Sequence, residues 1–182
     1  SPSDWTECKE IRFQGLININ QSIAPYLSDE RILGACEGLL GKYVRIMDTG
    51  VASGISNRRG RFHPDWPFAQ DPDTAGKINA PYPDVPMEIT TIWMLSSFTP
   101  NNGGTIMVSG SHRQSNNPTG NNGVDLNNPY PTEMQATGSA GSVLIFDSRI
   151  WHAAAINRTK KRRTAAIVRY VPWWFNINLR RQ

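Results

Sequence analysis

The chain has 182 residues, enough for one domain with a sizeable core, and its formal charge of +4 is a modest excess. That excess sits largely in the run Arg158 to Arg163 and in Leu179 to Arg181, clusters that read as solvated faces, so a nucleic-acid partner is not expected. No apolar run reaches membrane-spanning length, Ser1 to Glu10 lacks a signal-peptide core, and Cys8 and Cys36 fit no metal or redox spacing, which together point to a reducing, cytoplasmic setting.

Residues 1 to 27 show little periodicity and are expected to wrap the surface. From Ser28 the run SDERILGACEGLLGKY predicts a helix, with Ser28 as N-cap, Asp29 and Glu30 at its positive end and Gly41 as its stop. Ile32, Cys36, Leu39 and Leu40 give that helix one apolar face. Lys42 to Ala52 predicts a strand, and the polar turn SGISNRRGR leads into Arg61 to Phe68, RFHPDWPF. Trp66 to Pro86 has neither helical nor strand period, and a loop of that length is expected to act as a lid or binding loop. Ile89 to Leu95 is the clearest strand, with Ile89, Thr91, Trp93 and Leu95 on one face. Asn102-Gly103 marks a turn before a short strand from Thr105 to Val108. Ser111 to Ala140, dense in Asn, Gly and Pro, reads mostly as surface loop. Val143 to Asp147 is a further strand, interrupted at Ser148-Arg149, and the last strand begins near Arg163. No internal repeat and no second domain boundary are visible.

Chemistry concentrates in two places. In an extended segment residues i and i+2 share a face, so His63 and Asp65 can reach one point in space. That spacing alone also suits a hydrogen-bonded pair at a strand end. His152, at the end of the next-to-last strand, reads either as a buried histidine beside Trp151 or as a third ligand. Two neutral imidazoles and one carboxylate, with several positions left open, form the facial triad of non-haem Fe(II) oxygenases. On the last strand Arg163, Ala165, Ile167 and Arg169 share one face, and a guanidinium among small and apolar residues is costly to bury unless it meets an anion. Arg162 faces the other way.

The order of these pieces resembles the phytanoyl-CoA dioxygenase family: His63-x-Asp65, FTPNNGGTIMVSGSHR from Phe98, GSVLIFDSRIWHAAAINRT, and an arginine eleven residues after the distal histidine. The resemblance covers about residues 28 to 173. It implies a mainly β fold, a double-stranded β-helix or cupin-like jelly roll with a few flanking helices, in a single domain over residues 1–182 that is short of N-terminal helix. It further implies Fe(II) held by His63, Asp65 and His152, with 2-oxoglutarate and O2 as cosubstrates. Arg163 is then expected to bind the far carboxylate of 2-oxoglutarate, as a guanidinium can do bidentately. Trp93 matches a position near the cosubstrate, although a plain core aromatic is an equal reading. His112 belongs to the Gly110-Ser111-His112 turn and is expected to be structural. The implied reaction is hydroxylation of a small-molecule or acyl-type substrate with release of succinate and CO2, and the carboxylate of Asp65 argues against halogenation.

One position departs from the pattern. Many relatives carry Ser or Thr two residues after the distal histidine, where this chain has Ala154. Ala154→Ser is therefore expected to tighten 2-oxoglutarate binding by about 1 kcal/mol or less, read by titration in the presence of Fe(II). Three rival readings share much of this sequence: a nucleic-acid-directed oxygenase, suggested by the Arg163 and Arg169 spacing; a non-catalytic jelly-roll binding module; and a cupin-type metal enzyme in which His112 is a third imidazole.

Overall fold

The structure is a computed structural model, and it describes residues 11–66, 81, 83–114, 118 and 129–175. In chain order the elements are β1 (Ile11–Gln14), α1 (Leu16–Ile19), α2 (Ala24–Leu27), α3 (Glu30–Leu40), β2 (Val44–Gly54), β3 (Ile89–Met94), β4 (Thr105–Val108), β5 (Glu133–Gln135), β6 (Val143–Asp147), β7 (His152–Ala154) and β8 (Arg163–Pro172). The strands form a five-stranded sheet in the order β1-β2-β8-β3-β6 and a three-stranded sheet in the order β5-β4-β7. All strand pairs are antiparallel. This is the mainly β jelly roll that the sequence led one to expect.

Alternation along the strands sorts the apolar residues into three clusters. Between the sheets lie Ile92, Met94, Phe98, Phe146 and Ala165, with Met107 from the smaller sheet packed on them. On the outer face of the larger sheet, Ile89, Val168 and Tyr170 meet Leu27, Ile32 and Cys36, so α3 and the end of α2 cover that face. Phe62, Ile106, Val108, Trp151, Ala153 and Ala155 cover the outer side of the smaller sheet. Strands β3 and β8 are thus buried on both faces, as inner strands of a sandwich must be.

Local chemistry explains where the element boundaries differ from the expectation. Helix α3 is capped by Asp29, whose side chain accepts from the Arg31 N–H. Ser28 is one residue too early because it ends α2, its hydroxyl donating to the carbonyl of Ala24, the first residue of that helix, 3.1 Å away. Gly41 ends the helix at a φ of 83°, a left-handed value that a side chain would disfavour. Two strands arise in segments that carry no period of their own. Ile11–Gln14 adds to the edge of the larger sheet beside β2, and Glu133–Gln135, within the run read as loop, pairs with β4. Three or four residues cannot display a pattern, and pairing supplied by a neighbour decides them.

Strand β2 contains an irregularity between Ile46 and Asp48 that the sequence did not announce. Before it Ile46 faces Tyr170 and after it Asp48 faces Arg169, so the extra residue turns the rest of β2 over. Asp48 therefore lies on the inner face.

Cys36 is fully buried, and burial pushes its thiol up to about 12. A thiol that stays protonated in the fold but ionises near 9 when unfolded contributes stability below pH 9 that is lost as pH rises toward 12. Urea unfolding is expected to show this alkaline decline in the wild type and a weaker one in Cys36→Val. Cys8 and the basic run Leu179 to Arg181 lie outside the described residues.

Candidate metal centre

Two segments far apart in the chain, the stretch His63-Pro64-Asp65 and strand β7, bring His63, Asp65 and His152 together, and one ligand atom from each lies within 4.8 Å of the others. The backbone does this directly. The His63 N–H donates to the His152 carbonyl at 3.0 Å and the His152 N–H to the His63 carbonyl at 2.9 Å, so the segment before Asp65 extends the smaller sheet at β7. The two rings stand 4.4 Å apart between centroids, and the edge of Phe146 packs on His152 at 5.0 Å.

Each imidazole is held by its Nδ1. That of His63 lies 3.1 Å from the Arg61 carbonyl and that of His152 lies 2.9 Å from the Ile150 carbonyl. A carbonyl only accepts, so Nδ1 carries the proton on both rings and Nε2 keeps its lone pair. Burial, and then the neighbouring His63, push His152 down to about 4, which leaves it neutral near pH 7. Its Nε2 stands 3.7 Å from Oδ2 of Asp65, too long for a hydrogen bond and suited to two atoms that share an ion.

Asp65 is 1% exposed and held from every side. Its N–H donates to the Ser148 carbonyl at 2.7 Å, Oδ2 accepts from the Thr90 hydroxyl at 2.9 Å, and Oδ1 accepts from Nη2 of Arg169 at 2.9 Å. The Thr90 oxygen also lies 2.6 Å from that of the fully buried Ser148. Burial by itself would raise the Asp65 carboxyl, but the charge of Arg169, followed by His152 and His63, outweighs it and holds the group far below the usual range. Arg169 in turn reaches Asp48 at 3.0 Å and Glu88 at 3.3 Å. Three carboxylates around one guanidinium leave an excess of negative charge, which a divalent cation would offset.

Arg163 lies on the inner side of β8. Its guanidinium carbon stands 4.8 Å above the ring of Phe98, a member of the cluster between the sheets. Arg162 is exposed and donates to the Ser53 carbonyl on β2.

Trp93 is not brought to this centre. The inner side of β3 carries Thr90, Ile92 and Met94, whereas Trp93 packs on the outer cluster of Ile89, Val168 and Cys36 and its indole donates to Thr91. Strand parity settles it as a core aromatic, correcting the reading that set it near the cosubstrate. His112 sits in the short turn Ser111–Arg113, outside the converging group. The residues that sequence reasoning missed are Thr90, Ser148 and Asp48; only Arg169 had a signal, its shared parity with Arg163. The segments expected to serve as lid and mouth fall largely outside the described residues, but their described ends meet, since Asp84 pairs with both Arg113 and Arg149 at 2.9 Å.

The chain resembles known proteins over the same region. It is 30% identical over 115 residues to an uncharacterized protein of Mycobacterium bovis, a match covering 59% of this chain and 39% of that protein. It is 29% identical over 94 residues to the dioxygenase af480 of Aspergillus fumigatus, covering 51% of this chain and 28% of that one. The chain thus spans less than half the length of these curated relatives. Among solved structures, HygX from Streptomyces hygroscopicus with nickel, 2-oxoglutarate and hygromycin B bound superposes with a TM-score of 0.68 at 17% identity, over 92% of this chain and 71% of that one. At that identity the likeness speaks for the fold. The sequence-family model described as Phytanoyl-CoA dioxygenase (PhyH) matches residues 51–165, a stretch that makes up more than half of the chain and contains His63, Asp65, His152 and Arg163, and so the chain belongs to the phytanoyl-CoA dioxygenase family.

Proposed function

We propose that this protein is an iron(II)- and 2-oxoglutarate-dependent dioxygenase that hydroxylates a small-molecule substrate, with His63, Asp65 and His152 holding the metal and Arg163 the cosubstrate. The observation that carries this reading is the convergence of three ligand atoms from two segments far apart in the chain, with both imidazoles already fixed through Nδ1. The donor set fits the ion: two neutral nitrogens and one anionic oxygen suit Fe(II) and leave positions free. Bound there, iron with 2-oxoglutarate and O2 supplies the oxidising power to hydroxylate an unactivated C–H bond, releasing succinate and CO2.

The chain's own contribution is positioning. Nε2 of each histidine is the free donor, and Oδ2 of Asp65 is the oxygen nearer His152. Since Arg169 occupies Oδ1, Asp65 is set to bind through one oxygen, which preserves open positions for a chelating cosubstrate. Arg163 presents a charged fork between the sheets for the far carboxylate. A small-molecule substrate is supported by the similarity to HygX, solved with hygromycin B bound.

Anaerobic titration tests the reading. Purified protein is expected to take up one Fe(II) and then to develop a weak visible charge-transfer band on addition of 2-oxoglutarate. His63→Ala, Asp65→Ala and His152→Ala are expected to lose most of the iron, and His112→Ala to keep it. Loss of iron in His112→Ala with retention in His152→Ala would overturn the assignment of His152 as a ligand.

A further inference from the structure

We infer that the end of the sandwich at which β8 begins docks the phosphate backbone of a nucleic-acid duplex, without regard to sequence. The loops 55–60, 95–104, 136–142 and 155–162 meet there. The Gly60 N–H donates to the Ala154 carbonyl at 2.9 Å, the Asn157 N–H to the Ser56 carbonyl at 2.7 Å and the Arg158 N–H to the Asn101 carbonyl at 2.7 Å, while Phe98 bridges to Gly138. Two basic runs that lie far apart in the chain, SNRRG and NRTKKRR, thus become one surface. Arg58, Arg158, Lys160, Lys161 and Arg162 are exposed on it, whereas Arg59 is taken up by Glu133 and the ring of Phe62. None of these loops contains Asp or Glu. The chain has 19 basic and 15 acidic residues, and without these exposed cations the rest carries more acidic than basic ones, so the positive excess belongs to this end.

The surface is built rather than loose. Asn157, 6% exposed, donates to the Lys161 carbonyl at 3.0 Å and accepts from the N–H and hydroxyl of Thr159 at 2.8 and 2.7 Å, which fixes the backbone that presents Arg158, Lys160 and Lys161. Its composition says which anion it suits. Among the described residues no aromatic ring is exposed on these loops, and Leu95 is their one large exposed apolar side chain, so neither base stacking nor insertion into a bilayer has its usual anchors. Asn57, Ser97, Thr99 and Asn101 are exposed among the cations, and such neutral donors with Arg and Lys are the groups that contact phosphates. Along β8, Arg169 at the metal centre stands roughly 20 Å from the strand's first residue, Arg163. The duplex is therefore a partner that holds the protein in place, distinct from the small molecule at the metal, and the inference does not rest on the dioxygenase reading.

The test is fluorescence anisotropy of short labelled DNA and RNA duplexes of unrelated sequences, titrated with the whole protein at several salt concentrations. Wild type is expected to bind unrelated sequences alike and to weaken steeply as salt rises; the arm bound more tightly identifies the source of the backbone. Arg58→Gln/Arg158→Gln/Lys161→Gln is expected to lose about tenfold or more in affinity and to flatten the dependence on log salt by about one unit per removed contact. Lys42→Gln/Arg45→Gln, exposed at the other end of the larger sheet, should change neither. Arg158→Gln/Lys161→Gln reads a smaller loss in the same direction should the triple variant fold poorly. Absence of saturable duplex binding at low salt, or an equal loss in the Lys42 and Arg45 control, would overturn the inference. Tighter association with polyglutamate or with phosphatidylserine vesicles than with either duplex would overturn it in favour of an acidic protein or a membrane.

Discussion

Arg163→Leu is expected to raise the dissociation constant of 2-oxoglutarate by roughly 30- to 900-fold, about 2–4 kcal/mol, while iron uptake stays nearly intact. The size follows from removing a charge-assisted fork from a carboxylate between two packed sheets, where water replaces it poorly. The direction of the side chain is set by its neighbours on β8. Ala165 and Ile167 pack into the cluster between the sheets and Arg169 reaches Asp65, so the parity shared by Arg163 is the inward one. Arg162→Leu is the matched control: that side chain is exposed and donates to the Ser53 carbonyl on β2, so its loss should change binding little. The measurement is the charge-transfer band against cosubstrate concentration. An equal response of the two variants would return the fold to a non-catalytic binding module.

Arg169→Met is expected to destabilise the protein by about 3–5 kcal/mol in urea unfolding, because it leaves buried carboxylates without their counter-charge. Asp65 and Glu88 are each 1% exposed, and both face Arg169. Arg169→Lys should recover only part of the loss, since an ammonium cannot spread over three acceptors as the guanidinium does. Fe(II) should stabilise the methionine variant, by mass action and by returning positive charge beside Asp65. The pH dependence has a definite sign. A carboxyl whose folded pKa lies below its unfolded value near 3.9 contributes stability above about pH 4 and loses it as pH falls further. Wild type should therefore lose stability on acidification more steeply than Arg169→Met does, and parallel acid limbs would show that Asp65 takes its low pKa from elsewhere.

The triad and its scaffold were legible in the sequence because they rest on local rules. His63 and Asp65 share a face whatever the sheet does, β8 alternates over ten residues, and the ordered motifs from Phe98 to Arg163 carry family information independent of packing. The helix was readable from its caps and apolar face, though its true N-cap depended on Ser28 being occupied by α2. What tertiary structure alone decided are the features set by register between distant strands. The irregularity at Ile46 to Asp48 turns Asp48 inward to Arg169, and no local pattern predicts it because one inserted residue inverts every side chain after it. The face of Trp93 depended on which side of β3 received α3, a choice made by the outer cluster of Leu27, Ile32 and Cys36. Thr90 and Ser148 look like ordinary strand or turn residues in the chain, and they become part of the centre only because the tertiary fold sets them beside Asp65.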